Sequence, residues 1–378
     1  MSFPEMSIPY VSLPKRSVPK ASVLASRSVV GARNPFLALL SVAVLVGAAG
    51  SAAAQTHGTS PYRLVDDWAQ LPDGREMGAV GKVTMDPDGE HLWAVIRCDA
   101  GFDMFGYECL DSDLDPVVKF DLDGNVVTSF GGGLFIWPHG IDVDPEGNVW
   151  VTDSATSGRI PEGDTRGHRV VKFSPEGEVL LILGTGGEEG SGPHHFTSPS
   201  DVAVAEDGSI FVADGHNNDG NNRVVKYAPD GTFVEAWGRT GWAPGEFRAL
   251  HAIDIGPDGR VFVGDRSNNR VQILDQDGNV LAVWTQFGRP SGIAFDGEGN
   301  IYVADSESDN EQNPGWEMGI RIGDAETGWV HDFIPYMWGD PHEVLGNGAE
   351  FVAVDPDGNI YGGEPIPRNL QKYVRVRP

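Results

Sequence analysis

The sequence is short of cysteine and of positive charge. Its 378 residues include only 2 cysteines, and 27 lysine and arginine residues stand against 55 aspartate and glutamate residues, a formal net charge of −28. Such a chain lacks the basic surface that neutralises the phosphates of nucleic acids, so a nucleic-acid partner is excluded. It also lacks a glycine-rich phosphate loop between a strand and a helix, which argues against a nucleotide cofactor.

Glycine and proline are abundant instead. The chain has 50 glycines and 26 prolines, together with 40% hydrophobic residues. This composition indicates many tight turns around an apolar core, and it argues against a helical bundle or a disordered chain.

Residues 1–54 differ in composition from the rest of the chain. They contain five basic residues and one acidic residue, and a charge-free run extends from Pro35 to Ala54. The run ends in Ala52-Ala53-Ala54, a small-residue pattern that signal peptidase accepts. The segment predicts a secretory signal with a long basic leader, and therefore export. An uncleaved anchor, with membrane contact through this segment only, is the alternative, since about 20 apolar residues can span a bilayer.

The predicted export affects the expected oxidation state of the two cysteines. Cys98 and Cys109 lie eleven positions apart. In an oxidising compartment we expect them to form one loop disulfide, and two buried free thiols are the alternative.

One phrase recurs six times along the chain. Each copy is an alternating apolar strand that enters an Asp/Glu-Gly turn and continues as a second strand, as in His139 to Asp153. Such turns between apolar runs predict β-hairpins, and most copies carry a second hairpin. The turn glycines lie at positions 89, 147, 208, 259, 299 and 358. Four strands per copy at a period of about 40–60 residues indicate a six-bladed β-propeller.

The ring is expected to close through its two ends. The last copy stops one strand short, after Leu370 to Val374. The segment Arg63 to Trp68 precedes the first copy and can supply the missing strand, which hides a sheet edge. The sequence therefore predicts an all-β, six-bladed propeller in a single domain, residues 55–378.

The repeat also aligns positions near the central axis. In each copy, the strand expected to lie nearest the axis begins eight residues before the turn glycine. The six residues at this position are Gly81, His139, Ser200, His251, Ser291 and Glu350. Two imidazoles and one carboxylate from alternate blades suit a catalytic zinc ion. We therefore predict metal ligands at His139, His251 and Glu350, with His342 in reserve. Polar residues bonded to channel water are the alternative.

A second aligned position follows each turn glycine by six residues. It is acidic in five copies, where a structural role is expected, at Asp153, Asp214, Asp265, Asp305 and Glu364. Arg97 in the first copy and Arg266 after Asp265 are predicted to flank the same mouth as the metal ligands. Two guanidinium groups there can clamp a carboxylate through paired hydrogen bonds, and ordinary ion pairs between blades are the alternative.

The repeated phrases resemble NHL repeats, and longer phrases resemble the peptidyl-α-hydroxyglycine α-amidating lyases (peptidylamidoglycolate lyases). The matching phrases include Leu134 to Gly140, Gly147 to Asp153, Pro199 to Val204, Ala213 to Gly215 and Asp265 to Arg270. The similarity covers nearly all of 62–374 and is densest from 130 to 275. The resemblance implies a six-bladed, zinc-dependent lyase that splits a C-terminal α-hydroxyglycine into a peptide amide and glyoxylate.

The resemblance also implies metal ligands. Two of the three zinc-binding histidines of that family are similar to His139 and His251, and the third falls on Glu350. The aspartate of the family's structural calcium site falls on Phe351, so the sequence gives little support for calcium.

Catalytic roles are implied at three further positions. The family's two catalytic arginines are similar to Arg97 and Arg266. Its catalytic tyrosine falls on His216, whose imidazole is able to act as a general base near neutral pH.

Together these observations predict an exported, monomeric, metal-dependent lyase that binds a peptide or a small carboxylate at the channel mouth. The alternative is a propeller without catalytic activity that binds peptide or envelope protein partners. Such a scaffold has no need of His, His and Glu on alternate blades with two arginines beside them. A lactone or sugar-acid hydrolase on this architecture is less expected, because it would carry a calcium site rich in Asp, Asn and Glu.

Overall fold

The Asp/Glu-Gly turns form hairpins as predicted. The turn glycines have φ between 70° (Gly89) and 89° (Gly299), a backbone conformation that residues with a Cβ rarely adopt. The computed structural model describes residues 61–65, 67–98, 108–336, 348–366 and 368–376. The predicted leader and the reserve ligand His342 lie outside these residues and stay predictions.

The described strands form six four-stranded antiparallel sheets, one for each blade. The first blade contains β2 (Val80–Met85), β3 (His91–Ile96), β4 (Val117–Asp121) and β5 (Val126–Phe130). The second contains β6 (Pro138–Val143), β7 (Val149–Asp153), β8 (Arg169–Phe173) and β9 (Val179–Leu183). The third contains β10 (Pro199–Val204), β11 (Ile210–Asp214), β12 (Arg223–Tyr227) and β13 (Phe233–Trp237).

The remaining three blades repeat this order. The fourth contains β14 (Leu250–Ile255), β15 (Val261–Asp265), β16 (Arg270–Leu274) and β17 (Val280–Trp284). The fifth contains β18 (Pro290–Phe295), β19 (Asn300–Asp305), β20 (Gly319–Asp324) and β21 (Val330–Pro335). The sixth contains β22 (Phe351–Val354), β23 (Ile360–Glu364), β24 (Asn369–Arg375) and β1 (Tyr62–Val65).

Helical structure is confined to short turns in the part of the chain that is described. Single 3-10 turns lie at Pro72–Gly74, Ser157–Arg159 and Arg266–Asn268. None of the described helices is long and apolar enough to cross a membrane.

The predicted ring closure is confirmed. The strand β1 pairs antiparallel with β24, with Tyr62 opposite Arg375 and Leu64 opposite Tyr373. The missing fourth strand of the last blade therefore comes from the segment that precedes the first blade.

The apolar core lies between neighbouring blades. Five of the six large clusters of buried apolar residues draw their members from two adjacent blades, and the cluster between the fourth and fifth blades also includes Phe351 of the sixth. Between the first and second blades, for example, Phe130 contacts both Trp93 and Phe173. Since both faces of each blade are covered in this way, the central axis is left to polar residues from the innermost strands, β2, β6, β10, β14, β18 and β22.

A buried ion pair crosses the channel. The Nζ of Lys82 in the first blade donates to both carboxylate oxygens of Asp201 in the third blade at 2.9 Å, and it lies 3.4 Å from the carbonyl oxygen of Ile253. Burial opposes the charge of Lys82, but Asp201, Asp254 and Asp142 outweigh it and raise the pKa of the ammonium. One internal cation thus holds several blades together.

The predicted disulfide between Cys98 and Cys109 is formed. It closes a loop of about a dozen residues. The bond should stabilise the fold by about 3 kcal/mol, because it lowers the conformational entropy of the unfolded chain. We expect the Cys98→Ser/Cys109→Ser variant to show a free energy of unfolding lower by about that amount, measured in urea. The wild type in dithiothreitol should match the variant. Equal stability of the oxidised and reduced wild type would contradict this prediction.

Candidate metal centre

The candidate site lies where three innermost strands begin. His139 and His251 are the second residues of β6 and β14, and Glu350 directly precedes β22. In β6 and β14 the pairing with the next strand shifts register at the histidine. A β-bulge of this kind turns a side chain out of the regular alternation. The bulges were not predicted from the sequence, and they explain why both imidazoles reach the axis.

Each of these imidazoles is oriented by the next blade. The Nδ1 of His139 donates to the carbonyl oxygen of Ser200 at 2.7 Å, and the Nδ1 of His251 donates to that of Ser291 at 2.6 Å. A carbonyl oxygen only accepts, so the proton lies on Nδ1 and the lone pair on Nε2. The aligned serines therefore orient the histidines through their backbone, an arrangement typical of metal-binding imidazoles.

His216 completes a group of three imidazoles. It follows β11 and Gly215 in the third blade, and its ring centroid lies 4.7 Å from that of His139 and 5.0 Å from that of His251. The ligand atoms of the three histidines lie within 4.8 Å of one another. Sequence alignment of the blades does not predict this meeting, because His216 lies outside the aligned innermost position.

His139 and His251 are fully buried, and both ring nitrogens of His216 are buried although the residue as a whole is half-buried. Burial, reinforced by neighbouring imidazoles and by Arg97 or Arg266, holds the pKa of His139, His216 and His251 well below the usual range. Among the described residues, Nε2 of all three and Nδ1 of His216 accept or donate no hydrogen bond. Buried nitrogen atoms left in this way are costly unless a ligand engages them.

Glu350 lies at the edge of this group. Its Oε1 is 3.2 Å from Nε2 of His251 and 3.9 Å from Nη1 of Arg266. The carboxylate thus links the imidazole group to the arginine side of the site.

The donor set fits a divalent metal ion. Neutral imidazole nitrogens with a nearby carboxylate are the ligands that zinc takes in catalytic sites. The ring of Phe351 stacks on His251 with centroids 5.1 Å apart and lies 5.4 Å from His139. An apolar residue therefore closes the site from the side of the channel, where the resemblance placed a calcium ligand.

Two arginines and a glutamate border the site on the fourth and fifth blades. Glu307 binds Arg266 through Oε1 at 3.2 Å and Arg289 through Oε2 at 2.9 Å. Burial lowers the pKa of Arg266, opposed by Glu307 and Glu350. Arg289 and Glu307 were not singled out from the sequence. Glu307 lies two residues after the aligned Asp305, and this position was the one sequence signal that could have placed it near the mouth of the channel.

These residues line a cavity that opens beside the imidazoles. It has a volume of about 460 Å³ and is lined in part by His216, Arg266, Arg289 and Glu307. A small polar ligand therefore has access to the imidazole group from the mouth of the channel.

Arg97 borders the opposite side. Its Nε donates to the carbonyl oxygen of Pro138 at 3.1 Å, and its guanidinium lies 5.2 Å from the ring centroid of Trp137. Its Nη1 is 3.9 Å from Oε1 of Glu108. Because Arg97 and Glu108 each precede a cysteine of the disulfide, that bond fixes the segment carrying Arg97.

The aligned acids after the second strands are structural, as predicted. Asp153 accepts from the backbone N–H of Trp137 at 2.8 Å, and Asp214, Asp265 and Asp305 each accept from a backbone N–H just before the innermost strand of their own blade. In the second blade this bond fixes the segment that presents His139.

The structure thus places all six predicted site residues in one neighbourhood at one end of the channel. The three imidazoles contact one another, and Glu350 lies beside His251 and Arg266. Arg97 is joined to the group through the Trp137 ring, which also contacts His216. The six residues are His139, His216, His251, Glu350, Arg97 and Arg266. Fold and site define a six-bladed β-propeller with a histidine-rich mouth.

Comparison with known proteins agrees with this description. The NHL repeat family model matches residues 135–160 and 287–311. These two segments are therefore NHL repeats within a six-bladed β-propeller, and the chain resembles the amidating lyases, as predicted. A gluconolactonase from Xanthomonas campestris shares the fold, with a TM-score of 0.53, 16% identity and coverage of 83% of this chain and 94% of that one.

Three curated relatives illustrate the resemblance. Peptidyl-glycine alpha-amidating monooxygenase A of Xenopus laevis is 30% identical over 337 residues, which is 81% of this chain and 32% of that protein. Peptidyl-alpha-hydroxyglycine alpha-amidating lyase 1 of Drosophila melanogaster is 31% identical over 272 residues, 66% of this chain and 47% of that protein. NHL repeat-containing protein 3 of Mus musculus is 34% identical over 203 residues, 50% of this chain and 55% of that protein. The chain spans about a third to a half of the length of these relatives.

Proposed function

We propose that the protein is a zinc-dependent carbon–nitrogen lyase that cleaves a peptidyl-α-hydroxyglycine-type substrate and releases glyoxylate. The observation that carries the proposal is the meeting of three buried, neutral imidazoles, His139, His216 and His251, at an open cavity. The names of two relatives, an amidating monooxygenase and an amidating lyase, support the choice of reaction.

The reaction breaks the bond between the amide nitrogen and the α-carbon of the substrate. The hydroxyl group loses its proton, and its electrons form the aldehyde C=O of glyoxylate. The electron pair of the broken bond goes to the amide nitrogen, which takes up a proton. A bound zinc ion would supply Lewis-acid chemistry that lowers the pKa of the substrate hydroxyl.

A proton acceptor must lie beside the hydroxyl. The sequence predicts His216 for this role and Glu350 as a metal ligand. Both side chains lie next to His251, so each is close enough to the imidazole group to serve in either role.

The two predicted arginines suit the carboxylate of the substrate. Arg97 and Arg266 approach the imidazoles from different sides, and guanidinium groups bind carboxylates through paired hydrogen bonds. Arg266 is held for this task by Glu307 at 3.2 Å, and Arg97 by the backbone of Pro138 at 3.1 Å.

We also propose that the protein is exported and works as a monomer. The disulfide between Cys98 and Cys109 supports export, because such bonds persist in oxidising compartments.

The test is glyoxylate release by the purified, zinc-loaded protein from a synthetic N-acylated peptidyl-α-hydroxyglycine. We expect turnover above about 1 per second, within the usual range of enzymes. The matched control is the His331→Ala variant, since His331 is exposed on β21 and lies away from the site. A zinc-loaded protein that leaves the substrate at its uncatalysed rate of breakdown would reject the lyase.

The second candidate is a propeller that binds peptide or envelope proteins without turnover. The similarity to NHL repeat-containing protein 3, whose name states no activity, favours it. Binding of the same synthetic peptide, with no release of glyoxylate, would move this candidate to first place.

A further inference from the structure

The structure and the resemblance to the amidating lyases point to different residues as the third metal ligand. The resemblance assigns the ligands to His139, His251 and Glu350, with His216 outside the metal. The described residues instead contain one group whose ligand atoms lie within 4.8 Å of one another, and its members are His139, His216 and His251.

His216 has no other polar role in the described part of the chain. Its side chain is buried, and neither ring nitrogen has a hydrogen-bond partner there. Its ring packs edge-on against the ring of Trp137, with centroids 4.9 Å apart, and this contact restricts the orientation of the imidazole. A neutral imidazole held rigidly, with an unused lone pair beside two others, has the features of a metal ligand.

Glu350 lies between the imidazole group and Arg266, and its Oε2 has no hydrogen-bond partner among the described residues. Its Oε1 lies between Nε2 of His251 at 3.2 Å and Nη1 of Arg266 at 3.9 Å. Beside a metal site, the oxygens of this carboxylate are placed to accept a hydrogen bond from whatever the metal binds.

We propose that His216, in place of Glu350, completes the metal site with His139 and His251, and that Glu350 is the carboxylate that faces the metal's remaining position. His216 and Glu350 thereby exchange the roles that the resemblance assigns to them. The inference rests on the proposed function only in taking the site to hold a metal ion, and it does not depend on the substrate.

Zinc K-edge X-ray absorption on the loaded wild-type protein tests the proposal without any substitution. Imidazole rings give a distinct multiple-scattering pattern, and we expect three of them on the zinc. Two imidazoles with a carboxylate oxygen would overturn the proposal, and so would a wild-type protein that binds no zinc. A spectrum of three imidazoles on a protein that releases no glyoxylate would support the ligand set while rejecting the lyase.

Zinc affinity of variants gives an independent measurement by titration against a chromophoric chelator. We expect His216→Ala to weaken zinc binding as much as His139→Ala does, by more than about a hundredfold, because a ligand should cost more than the 10–100-fold typical of its supporting partners. Glu350→Gln should weaken it less than either and leave three imidazoles in the absorption spectrum. Wild-type affinity in His216→Ala, with loss in Glu350→Gln, would overturn the assignment.

Discussion

The His251→Ala variant should lose zinc and its lyase activity together while the propeller remains folded. His251 Nε2 belongs to the imidazole group, and the ring is fixed by a 2.6 Å hydrogen bond to Ser291 and by stacking on Phe351. Metal polarisation of a reacting oxygen supplies several kcal/mol, so we expect the rate to fall on the order of a thousandfold, with each tenfold corresponding to about 1.4 kcal/mol. Zinc content by mass spectrometry and glyoxylate release on the same sample provide the measurements.

The control for this variant is again His331→Ala, an exposed histidine on β21. It should retain wild-type zinc content and rate. Circular dichroism and a thermal unfolding curve show whether His251→Ala keeps the fold. A folded variant with undiminished activity would remove His251 from the metal site.

Replacing Lys82 with methionine should destabilise the fold by about 3–5 kcal/mol, because it leaves a buried carboxylate without its counter-ion. Lys82 and Asp201 are almost completely buried, with side-chain exposures of 4% and 0%. Methionine has a similar length, so the main change is the loss of the charge. The free energy of unfolding in urea measures the effect.

Two further variants show whether the loss comes from the unpaired charge. Lys82→Met/Asp201→Asn should recover part of the stability, since an amide needs no counter-ion and keeps an acceptor for the backbone N–H of Ile253, 3.0 Å away. Arg239→Met should change stability by less than about 1 kcal/mol, because the Arg239 side chain is exposed in its pair with Glu246. A stable Lys82→Met protein would mean that water or ions compensate Asp201.

The fold was predictable because a repeated phrase predicts a repeated structure. The Asp/Glu-Gly turns required positive φ, and they recurred at the spacing of propeller blades. Once the blades were aligned, His139, His251 and Glu350 had to approach one axis. Even the pairing of β1 with β24 followed, because the last blade was visibly short of a strand.

Contacts between blades were not predictable in the same way. Lys82 and Asp201 are 119 residues apart, and each looks like an ordinary polar residue in an alternating strand. Glu307 joins Arg266 to Arg289 across two blades through side-chain geometry that no repeat encodes. His216 lies in a loop, outside the alignment of strands, so the repeat did not predict its meeting with the two aligned histidines, and only the family resemblance placed it at the site.

The pairing of β1 with β24 determines when the molecule can finish folding. Tyr62 emerges from the ribosome long before Arg375, its partner across the sheet. Until then β1 has no neighbour, and the first and last blades cannot meet. The ring can therefore close only after residues 369–375 have been synthesised, because no other described strand pairs with β1.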